Sequence, residues 1–172
     1  MKLNIFSASL IATVFSLVAT QAQAAEKVIL KYRFLRESIS VPELTTFAET
    51  GELSSSLNAY LGLANKEPDD LEEALTKEVK VNAILLSKIL NTTPGEMILD
   101  QLSEVIHTPT QRASRQSLRS ALVKSALPDG KITLLEVLQN YPTQDVIVEG
   151  ERLAEALAKI EQLTGLIPNI RF

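Results

Sequence analysis

His107 is the single imidazole in a chain of 172 residues that contains no cysteine, so acid–base or nucleophilic chemistry would have to run through it. A Ser-His-Asp hydrolase needs a serine on a strained turn within hydrogen-bond reach of that ring. The strand-to-helix elbow G-x-S-x-G occurs nowhere, and an S-x-x-K dyad is also missing. Gly51-Glu52-Leu53-Ser54 has the wrong spacing and lies between helical stretches. His107, followed by Thr108-Pro109, reads as a helix-terminus histidine near the negative end of the dipole. No catalytic residue is assigned on these grounds.

Metal chemistry has one candidate. Asp129-Gly130-Lys131-Ile132-Thr133-Leu134-Leu135-Glu136 matches the second half of an EF-hand loop. The first half fails, because Ser125 and Leu127 fall where the first and third ligands belong and Pro128 interrupts. A turn at Pro128-Asp129-Gly130 followed by a Thr133/Glu136 cap accounts for the same residues, and no metal or cofactor is expected. The best polar surface feature is basic. Arg112, Arg115 and Arg119 recur at helical intervals opposite Leu118 and Leu122, with Lys124 nearby. Such a face could hold an acidic partner through bidentate contacts, or it is simply a solvated helix surface.

The elements that would position these residues are marked by caps and periodicity. Val28, Leu30, Tyr32 and Phe34 alternate with charged residues, the period of a half-buried strand. Ser38-Ile39-Ser40 is expected to pair back after a turn near Arg36-Glu37, and Val146-Ile147-Val148 is a third strand candidate. Ser40-Val41-Pro42-Glu43, Thr93-Pro94-Gly95-Glu96 and Thr133-Leu134-Leu135-Glu136 have the S/T-x-x-E form of a capping box. Gly51 is placed to end the first helix, and Pro68-Asp69-Asp70 to begin another with acids at its positive end. Apolar stripes then recur: Leu57, Tyr60, Leu61, Ala64; Leu71, Ala74, Leu75, Val79; Val81, Leu85, Ile89; Ile98, Leu102, Val105, Ile106. Further stripes at Leu118 to Ala126, Leu135 to Leu138 and Leu153 to Ile160 complete the series. The expected fold is mainly α: a compact bundle of seven to eight short helices with a small N-terminal hairpin and a third short strand as a candidate.

Met1 to Ala24 has a basic Lys2, an apolar stretch from Ile5 to Ala19 and a small-x-small site at Ala22-Gln23-Ala24, the pattern of a secretory signal. The alternative is an uncleaved anchor, for which the run is short against the roughly 20 residues that span a bilayer. Cleavage would leave a single domain, residues 25–165, with a tail from Leu166 to Phe172, in the periplasm or outside the cell. No later window could span a membrane. The net charge is −4, and no basic surface is studded with aromatics, which disfavours nucleic acid.

Three stretches carry a family resemblance: SISVPELTTFAETGELSSSLNAYL from Ser38, LLSKILNTTPGEMILDQLSEVIHTP from Leu85, and RQSLRSALVKSALPDGKITLLEVLQNYPTQDVIVEG from Arg115. Together they resemble the cyanobacterial domain of unknown function that typically precedes an α/β-hydrolase domain, with the likeness running from Glu26 to Leu163. In the longer members, the resemblance implies, nucleophile, acid and histidine lie in the hydrolase portion, so none is carried onto this chain. The expected role is a non-catalytic exported module that binds a protein, such as a separate periplasmic hydrolase, through Arg112, Arg115 and Arg119. The alternative is a carrier for an apolar ligand such as a lipid or pigment, and a hydrolase of unrecognised type ranks third.

Overall fold

The computed structural model describes residues 24–165; the expected signal through Gln23 and the tail Leu166–Phe172 lie outside the described residues. β1 (Lys27–Tyr32) and β2 (Leu35–Ser40) lead into α1 (Val41–Thr50), α2 (Ser55–Ala64) and α3 (Pro68–Thr76). β3 (Val79–Lys80) precedes α4 (Ala83–Leu90) and α5 (Thr93–Ser103), and β4 (Ile106–His107) precedes α6 (Ser114–Ala126). β5 (Lys131–Ile132), α7 (Leu134–Gln139) and β6 (Asp145–Glu149) follow, and one 3-10 turn runs into α8 (Leu153–Gly165).

The strands make a four-stranded mixed sheet in the order β2-β1-β6-β4, and β3 pairs with β5 in a second, two-stranded sheet. β1 is antiparallel to β2 and parallel to β6, and β6 is antiparallel to β4. The chain is therefore a mixed α/β fold, which corrects the expectation of a mainly helical bundle with a small hairpin. The reason is length. β3, β4 and β5 have two residues each, too few for a period of two to register. Val79 and Ile106 therefore extend the apparent stripes of α3 and α5, although both pair in sheets. The hairpin turn also moves: Tyr32 pairs with Leu35, so the turn is Arg33-Phe34, with Arg33 at φ +54°.

Local signals at the helix ends act mostly as their chemistry dictates. Ser40 Oγ accepts from the Glu43 N–H, and Gly51 at φ +73° closes α1 in the left-handed region that favours glycine. The Glu43 carboxylate does not return to Ser40; it takes hydrogen bonds from Ser54 and Ser56 at the start of α2. At α5 the cap is Thr92, one residue earlier than the T-P-G-E box suggests, and Glu96 is freed for ion pairs. Thr133 and Glu136 form the full reciprocal box.

The core lies between the sheet and α1, α4, α5, α6 and α7. Val28, Val146 and Val148 face it from the sheet, with Phe47, Leu90, Leu99, Leu118 and Leu138 among their buried helical neighbours. α6 is the helix on which α4, α5 and α7 all pack. Gly95 lets α5 start hard against the end of α4, because a Cβ there would overlap the Ile89 carbonyl and lie 2.8 Å from Leu90 Cα. Tyr141 is fully buried, and its hydroxyl has no hydrogen-bond partner among the described residues.

Two contrasts follow for equilibrium unfolding in urea. Gly95→Ala costs about 1–3 kcal/mol through overpacking, whereas Gly62→Ala, in the interior of α2 with open space around it, gains up to about 1 kcal/mol from helix propensity. Tyr141→Phe is neutral or stabilising by up to about 1 kcal/mol, because it removes a buried hydroxyl that has nothing to bond. A large loss for Tyr141→Phe would show that the hydroxyl is satisfied after all.

Candidate functional site

Alternation along β1 places Leu30 and Tyr32 on the same face as Val28, and the parallel register sets Val148 beside Leu30. Towards the β1 C-terminus this face is not sealed by helix. α2 stands to one side with Tyr60, Leu61 and Ala64, α3 brings Leu71 and Ala74, and α8 brings Leu153, Leu157 and two alanines. They enclose a groove of about 410 Å³, within the range of roughly 300–1,000 Å³ typical of small-molecule sites. Its walls are mainly aliphatic. α3 shows how the opening arises: of the stripe Leu71, Ala74 and Leu75, only Leu75 is fully buried, and the other two line the groove.

Polar groups sit at the rim. Burial, and after it the charges of Glu37 and Glu149, push the Tyr60 phenol up to about 12, so it stays a neutral donor at physiological pH. The Tyr32 ring is flanked by two cations, the Arg33 guanidinium 5.6 Å and the Lys66 ammonium 5.9 Å from its centroid. Arg33 also lies 3.7 Å from Glu151, with both side chains well exposed. Asp70, Glu73 and Lys77 mark the α3 side, where the Asp70 carboxylate accepts from the Glu67 N–H. None of these groove residues stood out in the sequence, because a leucine that lines a groove has the same helical spacing as one that fills a core.

The opposite face of the sheet holds the histidine. His107 belongs to β4, not to a helix end, and is buried. Its Nδ1 lies 2.8 Å from the Thr108 carbonyl oxygen and its Nε2 3.4 Å from Glu149 Oε1. Both ring nitrogens thus face acceptors, and neither is turned toward a hydroxyl that it could activate. Lys31 Nζ reaches the same Glu149 oxygen at 2.8 Å. Burial pushes the Glu149 carboxyl up, but hydrogen bonds and charge from Lys31 and His107 outweigh it and hold the group below the ordinary glutamate range.

The structure separates the three arginines. Arg112 lies in the loop before α6, ahead of Ala113 in the left-handed region. Arg115 is bidentate to Asp100, with Nε at 2.5 Å and Nη2 at 2.6 Å, and its Nη1 is 3.4 Å from Glu96. Arg119 Nη2 lies 3.1 Å from the other Glu96 oxygen. Arg115 and Arg119 therefore clamp α6 to α5. In the half EF-hand loop, Asp129 accepts from the Lys131 N–H and Glu136 from the Thr133 N–H. Among the described residues no cluster of three potential metal ligands occurs.

The Lys31–Glu149–His107 ladder makes stability depend on acid. Because the folded pKa of Glu149 is depressed, its contribution is present above the unfolded value of about 4.3 and is lost as pH falls through the folded value. Glu149→Gln should lower stability at pH 7 by about 1 kcal/mol, a charged hydrogen bond discounted for partial exposure. The gap between variant and parent, read from thermal melts, should narrow as pH falls below the ordinary glutamate range and close once Glu149 is protonated in the folded state. A gap that persists unchanged in acid would rule out this assignment.

Residues 24–149 match the family described as alpha/beta hydrolase of unknown function (DUF1400). No curated protein and no solved structure matches the chain. With well over half of its length inside that match, the chain belongs to the family of alpha/beta hydrolases of unknown function.

Proposed function

We propose that this chain is an exported, non-catalytic binding module whose site is the groove between β1, α2, α3 and α8, and whose occupant is a small apolar or amphiphilic molecule. The observation that carries this reading is the groove itself. A volume of about 410 Å³ is bounded by three helices and the uncovered end of a sheet, with mainly aliphatic walls and a few polar groups among the lining, the composition usual for ligand sites. Export rests on the leader pattern of Met1 to Ala24. Non-catalytic action is supported by the engagement of both His107 nitrogens and by the lack of an elbow serine. On this reading the module serves hydrolase chemistry by presenting or withholding an apolar substrate, rather than performing the chemistry with its own residues.

Capture of a protein through Arg112, Arg115 and Arg119 is the less favoured mode. Arg115 and Arg119 already hold Asp100 and Glu96, and an acidic partner would have to displace carboxylates that are covalently tethered nearby. Of the three, only Arg112 stands outside that network.

The test is fluorescence of the neutral dye Nile red with the purified chain. Saturable enhancement is expected, and Ala154→Trp, placed on the exposed wall of the groove, should weaken it by about tenfold or more while leaving the melting temperature within a few degrees. Absence of enhancement, or enhancement indifferent to Ala154→Trp, would sink the groove as the site.

A further inference from the structure

We infer that the groove takes an anionic single-chain amphiphile, its tail among the leucines of α3 and α8 and its headgroup at Lys66 beside Tyr32. The inference rests on the groove being a binding site, as proposed above, and adds the charge and shape of the ligand. The rim residues are not equivalent. Asp70 is held by the Glu67 N–H, and Arg33 has Glu151 nearby. The Lys66 ammonium has no carboxylate within ion-pair distance among the described residues and stands over the Tyr32 ring.

Its position is fixed by backbone. α2 ends on Asn65 in the left-handed region, and the Lys66 N–H donates to the Leu61 carbonyl at 3.0 Å. A lysine just past a helix end also complements the dipole, which accounts for a cation there on any helix. It does not account for an ammonium over a tyrosine that itself lines an apolar groove. At this end of the groove Lys66 and Arg33 both lie over the Tyr32 ring; Glu151 is 3.7 Å from Arg33, and the acids Asp70 and Glu73 lie on the α3 side of the lining. A carboxylate or phosphate placed beside the Tyr32 ring gains the Lys66 ammonium, which no carboxylate holds at ion-pair distance among the described residues. The groove volume, near the lower end of the small-molecule range, fits one acyl chain better than two. The headgroup chemistry is shared by free fatty acids and by lysophospholipids drawn from a membrane.

The experiment displaces Nile red from the full chain with laurate, with dodecanol, and with lauroyl lysophosphatidylglycerol. Laurate should compete about tenfold or more better than dodecanol, and added salt should narrow that preference. Lys66→Glu, a change at an exposed position, should abolish the preference by weakening laurate about tenfold or more beyond its effect on dodecanol, whereas Lys66→Arg should retain it. Competition by the lysolipid at least equal to that of laurate supports a membrane source, and competition by laurate alone supports a free acid. If Nile red binds but laurate and dodecanol compete equally, the anionic headgroup is wrong and the groove stands. If Nile red does not bind, the groove itself fails and this inference with it.

Discussion

The parallel ladder between Lys27–Lys31 of β1 and Asp145–Glu149 of β6 joins the first described strand to the last, with α1 through α7 strung between them. Lys31 and Glu149, which meet across it, are 118 residues apart. Parallel neighbours cannot be joined by a tight turn; here the connection is almost the entire helical layer. Closing so long a loop costs entropy that grows only logarithmically with length, and the offset has to come from β6 and what packs on it. Val146, Ile147 and Val148 are all buried, and β6 is bonded on both edges. Without it, the β1–β2 hairpin would be an isolated pair of strands, marginal by itself in water.

That ladder also decides what each face of the sheet can do. In its register Leu30 lies beside Val148, facing the core and the groove, while Lys31 lies beside Glu149 on the other side. A slip of one residue would exchange the faces, bringing a lysine and a glutamate onto the groove floor and leaving their aliphatic neighbours outside. The apolar floor and the Lys31–Glu149–His107 ladder are therefore two consequences of one pairing. His107 is held on the polar side by β4, whose residue Ile106 pairs with Val148 and turns into the core.

Much of the helical layer was legible because its signals are local. Ser40, Gly51, Thr133 and the stripes of α2, α6 and α7 each declare themselves within a few residues, and Val146–Val148 is apolar enough to mark a buried strand. The short pairings were not legible. Val105 and Ile106 keep the spacing of Ile98 and Leu102, yet the chain leaves the helix at Ser103 with no glycine or proline to force it. Pairing with β6 outweighs local propensity there, and nothing within the segment encodes it. The basic face shows a different limit. The helical spacing of Arg115 and Arg119 was plain, but Glu96 and Asp100 were not legible as their partners, because only the antiparallel packing of α5 on α6 brings the two stripes together.

Those pairings also explain why charge count is a poor guide to where this molecule could hold an anion. Arg115 and Arg119 form a basic stripe at helical spacing, but each faces carboxylates at 2.5–3.4 Å, so an incoming anion meets a nearly neutral surface and must compete with tethered acids. Lys66 is a single cation just before the acidic first turn of α3, yet no carboxylate stands within ion-pair distance of it among the described residues. A fold that packs Leu75, Leu90, Leu99 and Leu118 to near-zero exposure nevertheless leaves Leu71, Leu153 and Leu157 lining open space. Apolar surface left wet forgoes roughly 25 cal/mol per Å², and a slightly larger residue at Ala74, Ala154 or Ala158 would recover part of it. Small side chains at those three positions keep the groove open, and they do so beside a cation whose charge is not already spent.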